Sequence, residues 1–510
     1  MNRSQYARRN IIFGYLGNII AALLGFALRT VFIYKLDKSY LGVNGLYSNI
    51  LSVLSLADLG MTNAVNYSLY GPIARKEYDK VAAYMELFKK AYRYIAIAVT
   101  TVGTAFIPFL HYVIKDAGNI PFDKLRLYYI MFLINTVSTY FVAYKYSLAN
   151  AQQRGYIQTN ITTITKIITV LAQIIVLLVW ENFTLYLATQ IVIELVQKVF
   201  ANLYLNHVYP FLKERTEEKL NPKEKREIIC NVKALLLHRI GDALRLQTDN
   251  IIISAFMSVV MVGMVDNYVL VINTISGFVN ILFYSVMAGL GNVIAIESKE
   301  KQYLVFRTYR FLGAWIYGFS TVGYLLLLTP LICLLWGGRF ILPEIAIVLL
   351  LVDYYLKGFR IILTNYTTAA GIFQEDRYVA LIQGIVNLII SIVLVQKIGL
   401  TGIYIGTVIS GLIANIQKPL MIYEKCFDVS VKEYFFDSVK YIVTMFVPLG
   451  ICYVIKQYMS VTENWMNFFS LTIIVTIMFN GCYFLFFHKR EEYHYLLTIL
   501  KRMIQTKKRG

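Results

Sequence analysis

Two stretches decide the fold: "RGYIQTNITTITKIITVLAQIIVLLV", Arg154 to Val179, and "DRYVALIQGIVNLIISIVLV", Asp376 to Val395. Each is an apolar run of about 20 residues, long enough to cross a bilayer. Each is followed after a short break by a second run of similar pattern, "TLYLATQIV" from Thr184 and "GIYIGTVIS" from Gly402. A hairpin that recurs this way points to internal duplication. Another pair agrees: "ADLGMTNAVNYSLY" from Ala57 resembles "AGLGNVIAIESKE" from Ala288. Each precedes a basic aromatic segment, "YMELFKKAYRY" and "YLVFRTYRFLG".

Similar runs fill the chain, which has 510 residues, 58% of them hydrophobic and 15% charged. Its mean hydropathy is +0.58. We read about fourteen spans, near 10-34, 41-69, 91-114, 126-149, 156-180, 183-208, 232-258, 265-295, 311-336, 342-371, 378-397, 400-422, 439-459 and 465-487. Backbone polar groups inside hydrocarbon must be satisfied within each span, so helices are expected. The second span pairs with the eighth and the fifth with the eleventh, an even shift that keeps both halves in the same orientation. The expectation is an all-α integral membrane protein with two parallel six-helix bundles around a central cavity, plus two C-terminal helices. Its divisions are 1-208, a cytoplasmic amphipathic linker 209-231, a second bundle 232-422, two additional helices 423-487 and a basic tail 488-510. The leading "MNRSQYARRN" lacks a small-residue cleavage site, so the first span reads as a retained helix.

The net charge of +19 has a topological reading. With a cytoplasmic N-terminus, about two-thirds of the 49 Lys and Arg fall in cytoplasmic segments, a strong positive-inside bias. Both termini are then cytoplasmic, and no nucleic-acid partner is needed. The segments 73-92, 209-231, 298-310 and 424-438 interleave charges with Phe, Tyr and Leu, as interfacial amphipathic helices do. The 40 tyrosines read mostly as interfacial anchors. The longest opposite loop, "IKDAGNIPFDKL", leaves no room for an extracytoplasmic catalytic domain. Five scattered cysteines and five unclustered histidines suggest neither a metal site nor a disulfide framework. With no phosphate-cradling loop, metalloprotease motif or nucleophile elbow, no catalytic residue is expected. The chain reads as a transporter with no bound cofactor, coupled to an H+ or Na+ gradient if to anything, and not as an enzyme.

Ionisable residues at membrane depth are functional candidates. The basic ones are Arg29, Lys145, Lys166, Lys198, Arg239, Arg245, Lys357 and Arg360. "HRIGDALRLQTDN" places Asp242, Arg245 and Asp249 on one helical face, "DYYLKGFR" carries Asp353, Lys357 and Arg360, and Glu194 stands four residues before Lys198. No carboxylate stands within one helical turn of Arg29 or Lys166, which makes these two the preferred cavity residues. Such cations suit an anionic substrate such as a phosphate. Asp58, inside an otherwise apolar span, is expected either to pair with a cavity base such as Arg29 or to take part in a proton step. Gly60 and Gly291, at matching places in the repeat, read as helix-packing positions.

The helix count, the duplicated halves, "SLADLGMTNAV" and "AAGIFQEDRYVALIQGIVNLIISIVLVQKIGLTGIYIGTVIS" together resemble bacterial Wzx-type polysaccharide flippases of the multidrug/oligosaccharidyl-lipid/polysaccharide exporter superfamily. The likeness covers nearly the whole chain and is most specific at Asn387, Ser391, Gly406 and Thr407. It implies a MATE-like fold and transfer of undecaprenyl-pyrophosphate-linked oligosaccharide across the bacterial plasma membrane by alternating access. Capsule, O-antigen or exopolysaccharide assembly would follow, with a polymerase and glycosyltransferases as partners besides the membrane lipids. The pyrophosphate would meet Arg29, Lys166, Arg245, Lys357 and Arg360, and coupling or cavity acids would be Asp58, Asp242, Asp249 and Asp353. The alternatives are a flippase for lipid II or another lipid-linked precursor, and an ion-coupled small-molecule exporter. Drug-exporting relatives carry an acid in the first helix, whereas the first acid here is Asp37, at that helix's outer end.

Overall fold

In a computed structural model of the chain, described for residues 3–213, 220–224, 226, 228, 240, 241, 243–245, 247–372, 378–462 and 464–507, the regular elements are helices. Two compact units divide at Asp266 and Asn267. Among the described residues ten helices are long and apolar enough to cross a membrane. The architecture is the expected all-α membrane type.

The first unit contains α1 (Arg3–Lys35), α2 (Lys38–Leu54), α3 (Leu56–Arg75), α4 (Tyr78–Phe106), α5 (Phe122–Ala151), α6 (Tyr156–Trp180), α7 (Phe183–Val208) and α8 (Thr248–Phe256). It also holds the first turns of α9 (Val259–Ile296), which crosses into the second unit. In this unit α1 packs on α6, and α5 packs on α3, α4 and α7. The span expected at 41-69 is two helices, because the chain breaks at Ser55, whose N–H reaches back to Leu51 and Val53. The segment 73-92 is a second correction: from Tyr78 it is the opening of α4, continuous with the span, and not a separate interfacial helix.

The second unit contains α10 (Lys299–Trp336), α11 (Glu344–Ala369), α12 (Val379–Ile398), α13 (Leu400–Cys426), α14 (Lys432–Gln457), α15 (Trp465–Phe487) and α16 (Glu491–Lys507). The segment 298-310 is likewise the start of one long helix, α10, which α11, α14, α15 and α16 all contact. Its Arg307 binds Glu492 of α16 at 2.6 Å, and Arg490 binds Asp437 of α14 at 3.1 Å. The basic tail is therefore a helix tied to the bundle through a carboxylate that is only 1% exposed.

The duplication is visible in the backbone. After α5, the N–H groups of Gln152, Gln153 and Arg154 bond to the carbonyls of Leu148, Asn150 and Ala149. After α11, those of Ala370, Gly371 and Ile372 bond to Tyr366, Thr368 and Thr367 in the same pattern. Gln153 and Gly371 both have positive φ, and so, at the same spacing further on, do Glu181 and Gly399 in the α6–α7 and α12–α13 turns.

The motif around Asn387 is the seam of the α12–α13 hairpin. Thr407 Oγ1 donates to Asn387 Oδ1 at 3.3 Å, Ser391 Oγ donates to the Ile403 carbonyl at 3.2 Å, and a Cβ on Gly406 would collide with Ser391 Oγ. Among the described residues a Cβ on Gly291 would meet nothing, so the packing contact expected there is not seen, and the surroundings of Gly60 lie outside them.

Tyrosine is a second surprise. About half of the 40 are buried, several with the hydroxyl donating to a helix carbonyl, as Tyr47 does to Leu125 at 2.9 Å and Tyr309 to Phe283 at 2.8 Å. The amphipathic ring fills the core while its polar tip finds a partner, so core packing accounts for much of what the sequence suggests is anchoring.

Two outcomes follow from these contacts. Gly406→Ala should force α12 and α13 apart and cost about 1–3 kcal/mol, read as a lower melting temperature, whereas Gly450→Ala, in open space, should not lower it. Lys80 binds Glu224 at 2.7 Å and, with the Asn221 N–H, holds that carboxyl below its usual range. The pair thus supports the linker above the ordinary carboxylate pKa and releases it as pH falls through the lowered value. Proteolytic cleavage near 220–224 should rise on acidification, and Glu224→Gln should remove that pH dependence.

Candidate substrate-binding site

α6 is an inverted amphipathic helix. Ile164, Ile168, Leu171 and Ile175, on one stripe, are each more than half exposed, which suits a lipid-facing surface. Thr162, Thr165, Lys166, Thr169 and Gln173 fall on the opposite stripe and line a cleft of about 680 Å3 with side chains from α5 and α7. Its wall is a hydrogen-bonded chain. Gln173 donates to Gln190 at 3.4 Å, Gln190 to Glu194 at 2.9 Å, and Glu194 meets Lys198 at 3.5 Å. The Lys198 ammonium, reaching away from its own helix, donates to Asn135 Oδ1 at 2.8 Å and Ser138 Oγ at 2.7 Å on α5.

Lys166 differs from Lys198. Among the described residues nothing hydrogen-bonds or ion-pairs with it, and its side chain is exposed to the cleft. An ammonium held at membrane depth among hydroxyls and carboxamides can receive an anion, and the surrounding amides offer donors and acceptors to hydroxyl groups.

The other expected residues are distributed as follows. Arg29, on α1, does not line the cleft; charges that act on it are those of Asp266 on α9 and Tyr186, a residue that does line it. Among the described residues an acid that acts on Arg29 is Asp266, absent from the expected set, and a methyl on Gly45 would overlap its carboxylate. Asn250 Nδ2 donates to the same carboxylate at 3.0 Å. The side chain of Asp58 and the whole of Asp242 and Arg239 lie outside the described residues. Arg245 is buried, and Asp249 sits in the first turn of α8.

In the second unit Asp353 is 1% exposed and binds Lys357 at 2.7 Å, with Arg360 at 3.8 Å. Counted back equally from the matching turns, Asp353 and Asn135 occupy equivalent places, and each holds a cation. Arg310, 2% exposed, lies 3.7 Å above the Tyr434 ring and donates to the Tyr434 carbonyl and Ser438 Oγ. Within the first unit Lys166 shares its cleft with Lys198, and within the second Lys357 shares an acid with Arg360.

No family model and no curated protein matches the sequence. Solved structures do. The lipid II flippase MurJ in an inward closed conformation aligns over 94% of this chain and 99% of its own, with a TM-score of 0.68 and 15% identity. An inward-facing multidrug resistance MATE family transporter of the MOP superfamily aligns over 79% and 95%, with a TM-score of 0.58 and 14% identity. A Vibrio cholerae MATE transporter aligns over 83% and 98%, with a TM-score of 0.53 and 13% identity. At such identities the likeness shows a shared MurJ- and MATE-type fold.

The two lysines should respond differently to removal. Lys198→Met leaves Glu194, Asn135 and Ser138 without their cation and should destabilise the unit by about 3 kcal/mol. Lys166→Met should leave the melting temperature nearly unchanged, so thermal unfolding of both variants in one detergent separates the holding role from the receiving one.

Proposed function

We propose that the chain is a flippase that moves undecaprenyl-pyrophosphate-linked oligosaccharide repeat units across the bacterial plasma membrane by alternating access of its two units. The observation that carries this reading is Lys166, an ammonium without a protein partner among the described residues, in a cleft whose lining also offers carboxamides and hydroxyls and whose one carboxylate, Glu194, meets Lys198. The fold supports it, since the aligned structures are a lipid II flippase and multidrug exporters. Pyrophosphate supplies the charge that Lys166 takes, and a glycan supplies the hydroxyls that suit Gln190, Gln197 and Thr165. Arg29, Arg245, Lys357 and Arg360 would extend the cationic path. The membrane is the plasma membrane with both termini cytoplasmic, and the product feeds a polymerase on the far side.

A lipid II flippase is the second reading, favoured by the fuller alignment to MurJ. Both substrates share the polyprenyl pyrophosphate and differ in the glycan. Coupling to H+ or Na+ would fall to a carboxylate near a movable cation; Asp266 beside Arg29 joins Asp58, Asp242, Asp249 and Asp353 as a candidate.

Reconstitution distinguishes these readings. Proteoliposomes should translocate a fluorescent polyprenyl-pyrophosphate oligosaccharide, Lys166→Met should cut the rate about tenfold or more, and lipid II should move poorly. Preferential lipid II transport would establish the second reading, and drug efflux with neither lipid moved would overturn both.

A further inference from the structure

Another cleft, of about 810 Å3, opens on the opposite face of α5, between α4 and α7. Four cationic side chains line it, Lys89 and Arg93 from α4, Lys145 from α5 and Lys198 from α7, and among the described residues no carboxylate is in its lining. Lys145 and Lys198 are over nine-tenths buried. Lys145 donates to the carboxamide oxygens of Asn202 and, at 2.6 Å, Asn206, one helical turn apart on α7. Glu194, which meets Lys198, lines the first cleft and not this one.

The cleft does not end at its basic mouth. Through Arg93 and Phe141 it continues into a furrow of about 360 Å3 lined by Ile97, Thr100 and Val137. That furrow shares Thr100, Val137 and Phe141 with a further one of about 410 Å3, which ends at Ile107 and Ile130. From Arg93 to Ile107 the groove follows about 21 Å of α4, more than one leaflet's ~15 Å of hydrocarbon. Its walls are apolar and outward: Ile97 is 63% exposed, Phe141 57% and Ile134 50%.

A cluster of cations at one end and an apolar trough at the other match the two ends of a single amphiphile. We propose that this groove binds one anionic phospholipid of the surrounding bilayer, its phosphate among Lys89, Arg93, Lys145 and Lys198 and one acyl chain along α4 and α5. The trough selects a lipid over free phosphate, because only a chain fills it. The cations select phosphatidylglycerol-type heads over zwitterionic ones, each basic group at the surface adding attraction for negative charge. The site faces away from the cleft that holds Lys166 and stands whether or not the proposed transport activity does. Val142 and Lys198 line both clefts, and Lys198 is the charged one.

The test is native mass spectrometry of the full chain with equimolar phosphatidylglycerol and phosphatidylcholine of the same acyl chains. The wild type should retain one phosphatidylglycerol with a preference of about tenfold. Lys89→Gln with Arg93→Gln, both exposed and so expected to fold, should bring that preference close to parity. Thr100→Trp, in the trough, should lower retention of long-chain lipid and spare a short-chain analogue. Excess inorganic phosphate should not displace the lipid. Equal retention of the two lipids by the wild type, displacement by phosphate alone, or retention of polyprenyl phosphate in place of phosphatidylglycerol would each overturn the proposal.

Discussion

Hydrocarbon offers no hydrogen bonds, so each polar group that these helices carry into it has to be met by another part of the chain. That constraint organises both units. Tyrosine hydroxyls are turned onto helix carbonyls, Arg310 is enclosed by Tyr434 and Ser438, and Lys145 is gripped by two asparagines a turn apart. The helices pack by exchanging such contacts, and the places where exchange is incomplete stand out. Lys166 is the clearest of them, because among the described residues no hydrogen bond or ion pair answers its charge.

The sequence reading reached the fold through periodicity and repetition, which survive in single chains because span length and turn chemistry are local properties. The matched turns at Gln153 and Gly371, and at Glu181 and Gly399, show that the repeat reflects backbone geometry and not merely apolar composition. The break at Ser55 and the long continuous openings of α4 and α10 were harder to see. Hydropathy reports burial and does not register whether a helix stops or continues past the interface.

The candidate site was legible only where partners are local. Asp353 with Lys357 is four residues apart and follows from helical spacing. Lys198 also has Glu194 one turn away, yet its shortest bonds go to α5, at a distance in sequence that no pattern encodes. Arg29 feels the charge of Asp266 from across most of the first unit's sequence, and only the fold brings them within reach. A usable signal existed for Lys145: Asn202 and Asn206, four apart on an apolar helix, announce a buried polar contact before its partner is known.

The duplicated halves also separate two kinds of inheritance. Their turns are set by main-chain bonds that almost any side chain tolerates, while the cation holder at one equivalent place is an amide, Asn135, and at the other an acid, Asp353. Asparagine and aspartate codons differ by a single base. Architecture and electrical character can therefore drift independently in such a chain, and one half can acquire a new polarity without its hairpins being rebuilt.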